Sequence, residues 1–274
     1  MTLRHIILVL ALCLPPAGVL AAPRVVVLDP GHGGTNLGAR GQTVDVYEKK
    51  LALAYANLTA TYLRRMMPSV KVVLTRTRDR YLTLTQRVRM ANAAKAAVFV
   101  SIHLNACETH IQKGFGTFIL SRQASDKEAA RVAMKENDAR KVRTQARKPA
   151  PGGRGPTVSS IMSNLRHVGA HTASVRLAAS VQKALTRARG KALNRGIRQA
   201  SFDVLMGLSM PGVLVEVGFI DHRKEGPELN TLKVQKAISL ALAQAIVEHL
   251  SPPPRRTRVR PRVRKRRRRA ARKK

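Results

Sequence analysis

Short, nearly unbroken apolar runs alternate along the chain with longer stretches whose apolar positions recur at helical spacing. Residues 25–28, 72–74, 97–102 and 212–220 are rich in valine, isoleucine and leucine and are closed by glycine, proline or a polar residue. That is the pattern of strands buried on both faces. Residues 51–66, 85–97, 127–146, 174–189 and 232–250 carry the wider helical period. Strand alternating with helix predicts an α/β fold, a single domain with a mostly parallel twisted sheet flanked by helices on both faces. No internal repeat interrupts this order.

The chemistry-bearing residues sit where those runs end. The first strand stops at Asp29-Pro30-Gly31-His32-Gly33-Gly34, and the flanking glycines leave the imidazole of His32 unshielded. The run at 97–102 delivers His103, followed two positions later by Asn105. In open α/β sheets the crevice beyond the strand ends is where sites form. Glu48 opens the helical stretch at 51–66, where a carboxylate also suits the helix dipole. Glu216 is the one carboxylate in a nearly continuous apolar strand, a placement that is costly unless the charge is paired or bound to metal. Two imidazoles and a carboxylate are a common catalytic zinc set, and a second carboxylate is a natural general base. The residues alone leave open which glutamate plays which part. Asn105 is either a substrate- or water-orienting group or an ordinary loop asparagine. Arg76, closing the run at 72–74, reads as a charge-pairing or solvated arginine. His110, His167, His171, His222 and His249 have no such strand-end placement and stay outside the metal set.

The segments LDPGHGGTNLGARG, YEKKLALAYA, VVLTRTRDRYLTLTQRVRMAN, FVSIHLNA, KGFGTFILS, AMKEND, NRGIRQASFDVL and MPGVLVEVGFIDH resemble, in order, those of the zinc-dependent N-acetylmuramoyl-L-alanine amidases, hydrolases of the bacterial cell wall. The resemblance covers most of residues 25–250. It implies one Zn2+ held by His32, Glu48 and His103, with Glu216 as the catalytic carboxylate. It also implies the bond cleaved, the amide between the lactyl group of N-acetylmuramic acid and the L-alanine of the stem peptide. His222 stands where the family usually has asparagine. Some members carry an inserted helix that blocks the zinc with a glutamate, but residues 139–202 here contain no Asp or Glu. Restraint on activity is therefore expected to work by another route, steric or through an activator protein.

Composition adds the compartment and the partners. Arg4 and His5 precede an apolar run over residues 6–14, then two prolines and a small-residue Val19-Leu20-Ala21-Ala22. This reads as a secretory signal over residues 1–22, ahead of a catalytic domain at 23–250. The apolar run is too short for a membrane span, and Leu12 before Cys13 disfavours a lipoprotein. The product is expected to be exported, periplasmic or extracellular and cell-wall associated, with Cys107 as its one remaining thiol and no internal disulfide. Aromatics make up 3% of the chain and tryptophan is absent, which argues against a separate carbohydrate-binding module.

Residues 255–274 hold 14 Lys or Arg and no acid, out of a formal net charge of +36. With the proline run before it, the stretch 251–274 is expected to be a disordered basic tail that meets anionic envelope polymers or lipids. The export signal and scarcity of aromatics disfavour nucleic acid as partner. Two other functions fit the same residues: a zinc peptidase acting within the stem peptide, and a non-catalytic protein that binds the anionic envelope.

Overall fold

β1 (Val25–Pro30) is buried from its second residue onward, as a strand between two neighbours in a covered sheet is, with Asp29 as its one charged residue. The computed structural model describes residues 24–137 and 158–251, without the side chains of 158–168. The expected signal segment at 1–22, most of the Pro/Gly-rich stretch at 147–158 and the basic tail beyond 251 lie outside the described residues. β1 leads through a long loop into α1 (Glu48–Met66), which returns the chain to β2 (Lys71–Leu74), parallel to β1. α2 (Leu84–Ala93) opens on a capping box in which Thr83 and Gln86 satisfy each other's backbone amides. β3 (Val98–Asn105) then pairs parallel to β1 on its other side.

After β4 (Phe115–Leu120) come α3 (Lys127–Asn137), α4 (Val158–Arg189), β5 (Asn194–Ala200), β6 (Gly212–Phe219), a short α5 (Glu225–Leu229) and α6 (Leu232–Leu250). The six strands lie in the order β2-β1-β3-β6-β4-β5. β6 is parallel to β3, whereas β4 runs antiparallel to β6 and β5 is parallel to β4. The sheet is therefore mostly parallel, with one reversed pair at an edge. That pair was not legible as strands: KGFGTFILS carries two glycines, and β5 is polar and half-buried, as an edge strand can be.

Helices cover both faces. α1, α4 and α6 pack on one, where Leu51, Tyr55 and Leu63 meet Leu177, Val181, Leu242 and Ile246 above Val100, Ile102, Val213 and Val215. α2 and α3 cover the other, with Val88, Ala129 and Val132 against Phe99, Phe118 and Leu214. Several helix bounds differ from expectation: α1 begins at Glu48 rather than at 51, and residues 138–146 of the expected helix at 127–146 lie outside the described residues. α2 stops at Ala93, because Ala94 to Ala97 turn through Lys95 at φ 49° to enter β3. α4 starts sixteen residues before the apolar stripe that marked it. No helix among the described residues is long and apolar enough to cross a membrane.

Candidate metal centre and catalytic site

The C-terminal ends of β1 and β3 deliver the two histidines side by side, their ring centroids 4.9 Å apart and nearly perpendicular. His32 reaches this position with its own backbone in the left-handed region, at φ 58°. That conformation costs an L-residue about 1 kcal/mol and persists only where its surroundings impose it. Asn36 supplies part of that constraint: its Oδ1 lies 3.1 Å from His32 Nδ1. The contact fixes the proton on Nδ1 and leaves the Nε2 lone pair for a cation. Gly38 passes so close that a Cβ there would stand 2.7 Å from both Glu48 Cβ and His32 Cδ2, and its φ of +70° also favours glycine.

Glu48 turns inward from the first residue of α1. Its Oε1 accepts from Leu104 N–H and its Oε2 from Ala39 N–H, both at 2.9 Å. Oε1 also stands 2.9 Å from His32 Nε2 and 3.1 Å from His103 Nδ1. A fourth residue joins them: Glu136, near the end of α3, sets Oε2 2.9 Å from His103 Nδ1 and 3.3 Å from His32 Nε2. One donor atom from each of His32, Glu48, His103 and Glu136 lies within 4.8 Å of the others, all four residues buried. His32 Nε2 and both oxygens of Glu136 have no hydrogen-bond partner. Buried polar atoms that make no hydrogen bond and meet only one another's charge at a single point are the expected arrangement for cation ligands, so the residues fit a metal.

Glu136 alters the expected picture. The acid-free stretch at 139–202 indeed offers no blocking carboxylate, but one arrives from three residues upstream. The expectation covered residues 139–202 alone, and Glu136, just outside them, places a further carboxylate at the donor group. α3 is fastened over the site at several points. Asp126 caps its first turn through Ala129 N–H, Arg195 grips both oxygens of Glu128, Arg131 donates to Ala106 O, and Asn137 bonds Ser201 O. With Glu136 in place the cavity beside His32 and His103 measures only about 20 Å³, room for one water and not for a substrate.

Glu216 lies directly across from His103 in the β3–β6 register. Both of its carboxylate oxygens are buried and unbonded. Burial, then the neighbouring Glu136 and Glu48 charges, push its pKa up to about 8. Burial by itself would lower the pKa of His32, yet Glu48 and Glu136 raise it to about 9, and the same carboxylates raise His103. Lys135, its amine buried 3.9 Å from Glu136 Oε1, adds positive charge to a site crowded with carboxylates.

Beneath the histidines, two buried arginines shape the backbone. Arg87 donates to Asp29 Oδ1, Pro30 O and His32 O at 2.6–2.7 Å. Arg76 donates to Pro30 O, Gly31 O and Lys49 O, tying the loop of His32 to the helix of Glu48. The expectation of a solvated or charge-paired Arg76 is thus corrected: it is fully buried and spends its donors on carbonyls, which a strand pattern cannot reveal. Asn105 is buried at the end of β3 with Oδ1 accepting from Ala106 N–H, a turn-closing contact. Among the histidines set aside, His110 pairs with Asp221, His222 caps α5 through Nδ1, and none joins the metal group. The side chain of His167 lies outside the described residues. Cys107 is a free thiol.

The family profile of N-acetylmuramoyl-L-alanine amidases matches residues 26–248. The chain belongs to this amidase family. Its curated relatives include N-acetylmuramoyl-L-alanine amidase AmiA of Escherichia coli strain K12, 32% identical over 236 residues that make up 86% of this chain and 79% of the relative. The probable amidase AmiB of Haemophilus influenzae is 27% identical, over 84% of this chain and 52% of its own length. Among solved amidase structures, AmiC2 of Nostoc punctiforme superposes with a TM-score of 0.61 at 26% identity, covering 83% of this chain and 97% of that one. An amidase from Clostridium difficile 630 gives 0.60 at 27%, covering 84% and 98%.

Proposed function

We propose that this protein is a zinc-dependent peptidoglycan hydrolase that cuts the amide between the lactyl group of N-acetylmuramic acid and the L-alanine of the stem peptide. The observation that carries the reading is the convergence of His32, Glu48 and His103 beside an unbonded, buried Glu216, in a chain of the amidase family. Two imidazoles and one carboxylate are a donor set that zinc favours, and the ion bound there would supply Lewis acidity toward water and the scissile carbonyl. The protein's own groups do the rest. Asn36 and the Leu104 and Ala39 amides hold His32 and Glu48 in their orientations. Glu216 accepts a proton from the attacking water as the new C–O bond forms. It then passes that proton to the alanine nitrogen as the C–N bond breaks, so the products are a free lactyl carboxyl and an intact stem peptide.

Chelation is expected to abolish hydrolysis of purified peptidoglycan, and stoichiometric Zn2+ to restore it; activity indifferent to chelator would reject the metal assignment. Glu136 belongs to a resting arrangement in this reading, because its carboxylate fills the approach to the other three ligands. The Glu136→Ala protein should therefore hydrolyse faster than wild type, by a factor set by the fraction of molecules that Glu136 holds closed. Dye release from labelled sacculi measures it. Export to the cell envelope, and binding of the basic tail to anionic envelope polymers or lipids, complete the proposal. An activator protein would act by drawing α3 away.

A further inference from the structure

The two ends of the parallel sheet differ in charge. Carboxylates gather where β1, β3 and β6 finish, at the metal group, Glu216 and Asp221. The opposite edge, where β1, β2 and β3 start, is built from short basic turns. Lys71 opens β2, and its N–H bonds the carbonyl of Arg24, the residue before β1. Lys95 turns the chain toward β3, and the next turn is fixed by Ala97 N–H on Val25 O. Arg64 and Arg65 close α1 just ahead of Lys71, with Arg64 reaching Val72 O. All five side chains are exposed, and residues 64–71 and 94–97 contain no Asp or Glu. The dipole of α1 accounts for Arg64 and Arg65, but not for Arg24, Lys71 and Lys95. α6 finishes on the same edge, because Arg24 donates to Leu250 O. Ser251 therefore stands there too, and 14 Lys or Arg follow it at 255–274.

Like charges crowded on one edge repel one another, a cost that the fold does not recover and that an anionic surface would. Met66, the last residue of α1, is exposed by 40% among these cations. A bilayer interface takes up an apolar side chain beside basic ones, whereas a soluble polyanion offers it nothing. We infer that this edge docks the protein on a bilayer bearing anionic headgroups, with the metal group held at the far end of the sheet and facing away from the lipid. β3 climbs five residue steps from Val98 to His103, so the site stands about 17 Å from the edge. That is about twice the screening length of ~8 Å at physiological salt, which keeps the carboxylates of the site clear of the lipid's charge. The inference deepens the tail binding proposed above: it brings folded residues to the surface and fixes which way the site looks.

Vesicles of equal parts phosphatidylglycerol and phosphatidylcholine, with pure phosphatidylcholine as the neutral control, test the docking on the chain from residue 23 to its basic end. Sedimentation compares wild type, the edge variant Arg65→Gln/Lys71→Gln/Lys95→Gln, and a variant of three exposed cations at the site's end, Lys113→Gln/Arg223→Gln/Lys224→Gln. Each cation at an anionic surface is worth about fivefold in partitioning, so the edge variant should bind charged vesicles about 10²-fold more weakly and the other variant like wild type, with all binding weakened by salt. A fluorophore on Ser69→Cys, in a Cys107→Ser background, should be quenched by a lipid-borne quencher, and the same fluorophore on Cys107 of wild type should not. Equal losses in the two variants, undiminished binding to neutral vesicles, or quenching at Cys107 would overturn the docking. Vesicle binding that survives in the edge variant and is lost only on removal of 255–274 would uphold the tail and overturn the edge. An absence of vesicle binding, with or without binding of soluble polyphosphate, would overturn the lipid as partner.

Discussion

Glu216→Gln should lose hydrolysis by on the order of 10³-fold while keeping its metal and its fold, because the substitution removes a proton acceptor and little else. The side chain keeps its volume, and both carboxylate oxygens make no hydrogen bond that the amide would forfeit. Stability distinguishes this outcome from simple damage. In the metal-free protein burial, then Glu136 and Glu48, push the carboxyl up to about 8, so the fold loses stability as pH rises from the ordinary 4.5 to that value and carries a constant cost above it. The neutral amide avoids this, and the variant's Tm at pH 8 should equal or exceed that of wild type. Unimpaired turnover in Glu216→Gln would remove the proposed general base.

Asp29→Ala should be among the most destabilising single substitutions in the chain, by about 3–5 kcal/mol, because it strands a buried arginine. Asp29 and Arg87 are 2.7 Å apart with side chains essentially sealed from solvent. Burial alone would raise the Asp29 pKa, but Arg87 and hydrogen bonds from Thr75 and Ser101 outweigh it and hold the carboxyl below its usual 3.8. The sign follows from that depression: the stabilisation is complete above the unfolded-state value and is lost as pH falls through the folded one. Wild type should therefore lose stability below about pH 3.8, and Asp29→Asn should lack that component. Urea unfolding across pH 2–7 reads both effects. Since Arg87 also holds the His32 carbonyl, surviving Asp29 variants should bind zinc more weakly.

The sheet's parallel half was legible because burial on both faces writes itself as unbroken apolar runs, and the strand-end rule then placed His32 and His103. Glu216 was legible because a carboxylate in such a run has no cheap structural explanation. Glu136 was not, although AMKEND was in view. A glutamate near the end of an amphipathic helix is ordinary, and only the docking of α3 across the strand ends carries it onto the histidines. Arg76, Arg87 and Asn36 were hidden for a related reason: their partners are backbone carbonyls, the Asp29 carboxylate or the Nδ1 of His32, which local sequence does not encode. β5 escaped because an edge strand need not be apolar. The family resemblance separated ligand from base among the glutamates, a distinction that residue spacing alone left open.

The central claim is the bond that is cut. Purified peptidoglycan digested by the zinc-loaded Glu136→Ala protein, with the soluble products weighed by mass spectrometry, tests it most directly. Intact stem peptides with a free L-alanine amino terminus, released from glycan that keeps its lactyl groups, are the predicted result; peptides shortened within the stem would contradict the account and make the protein a peptidase.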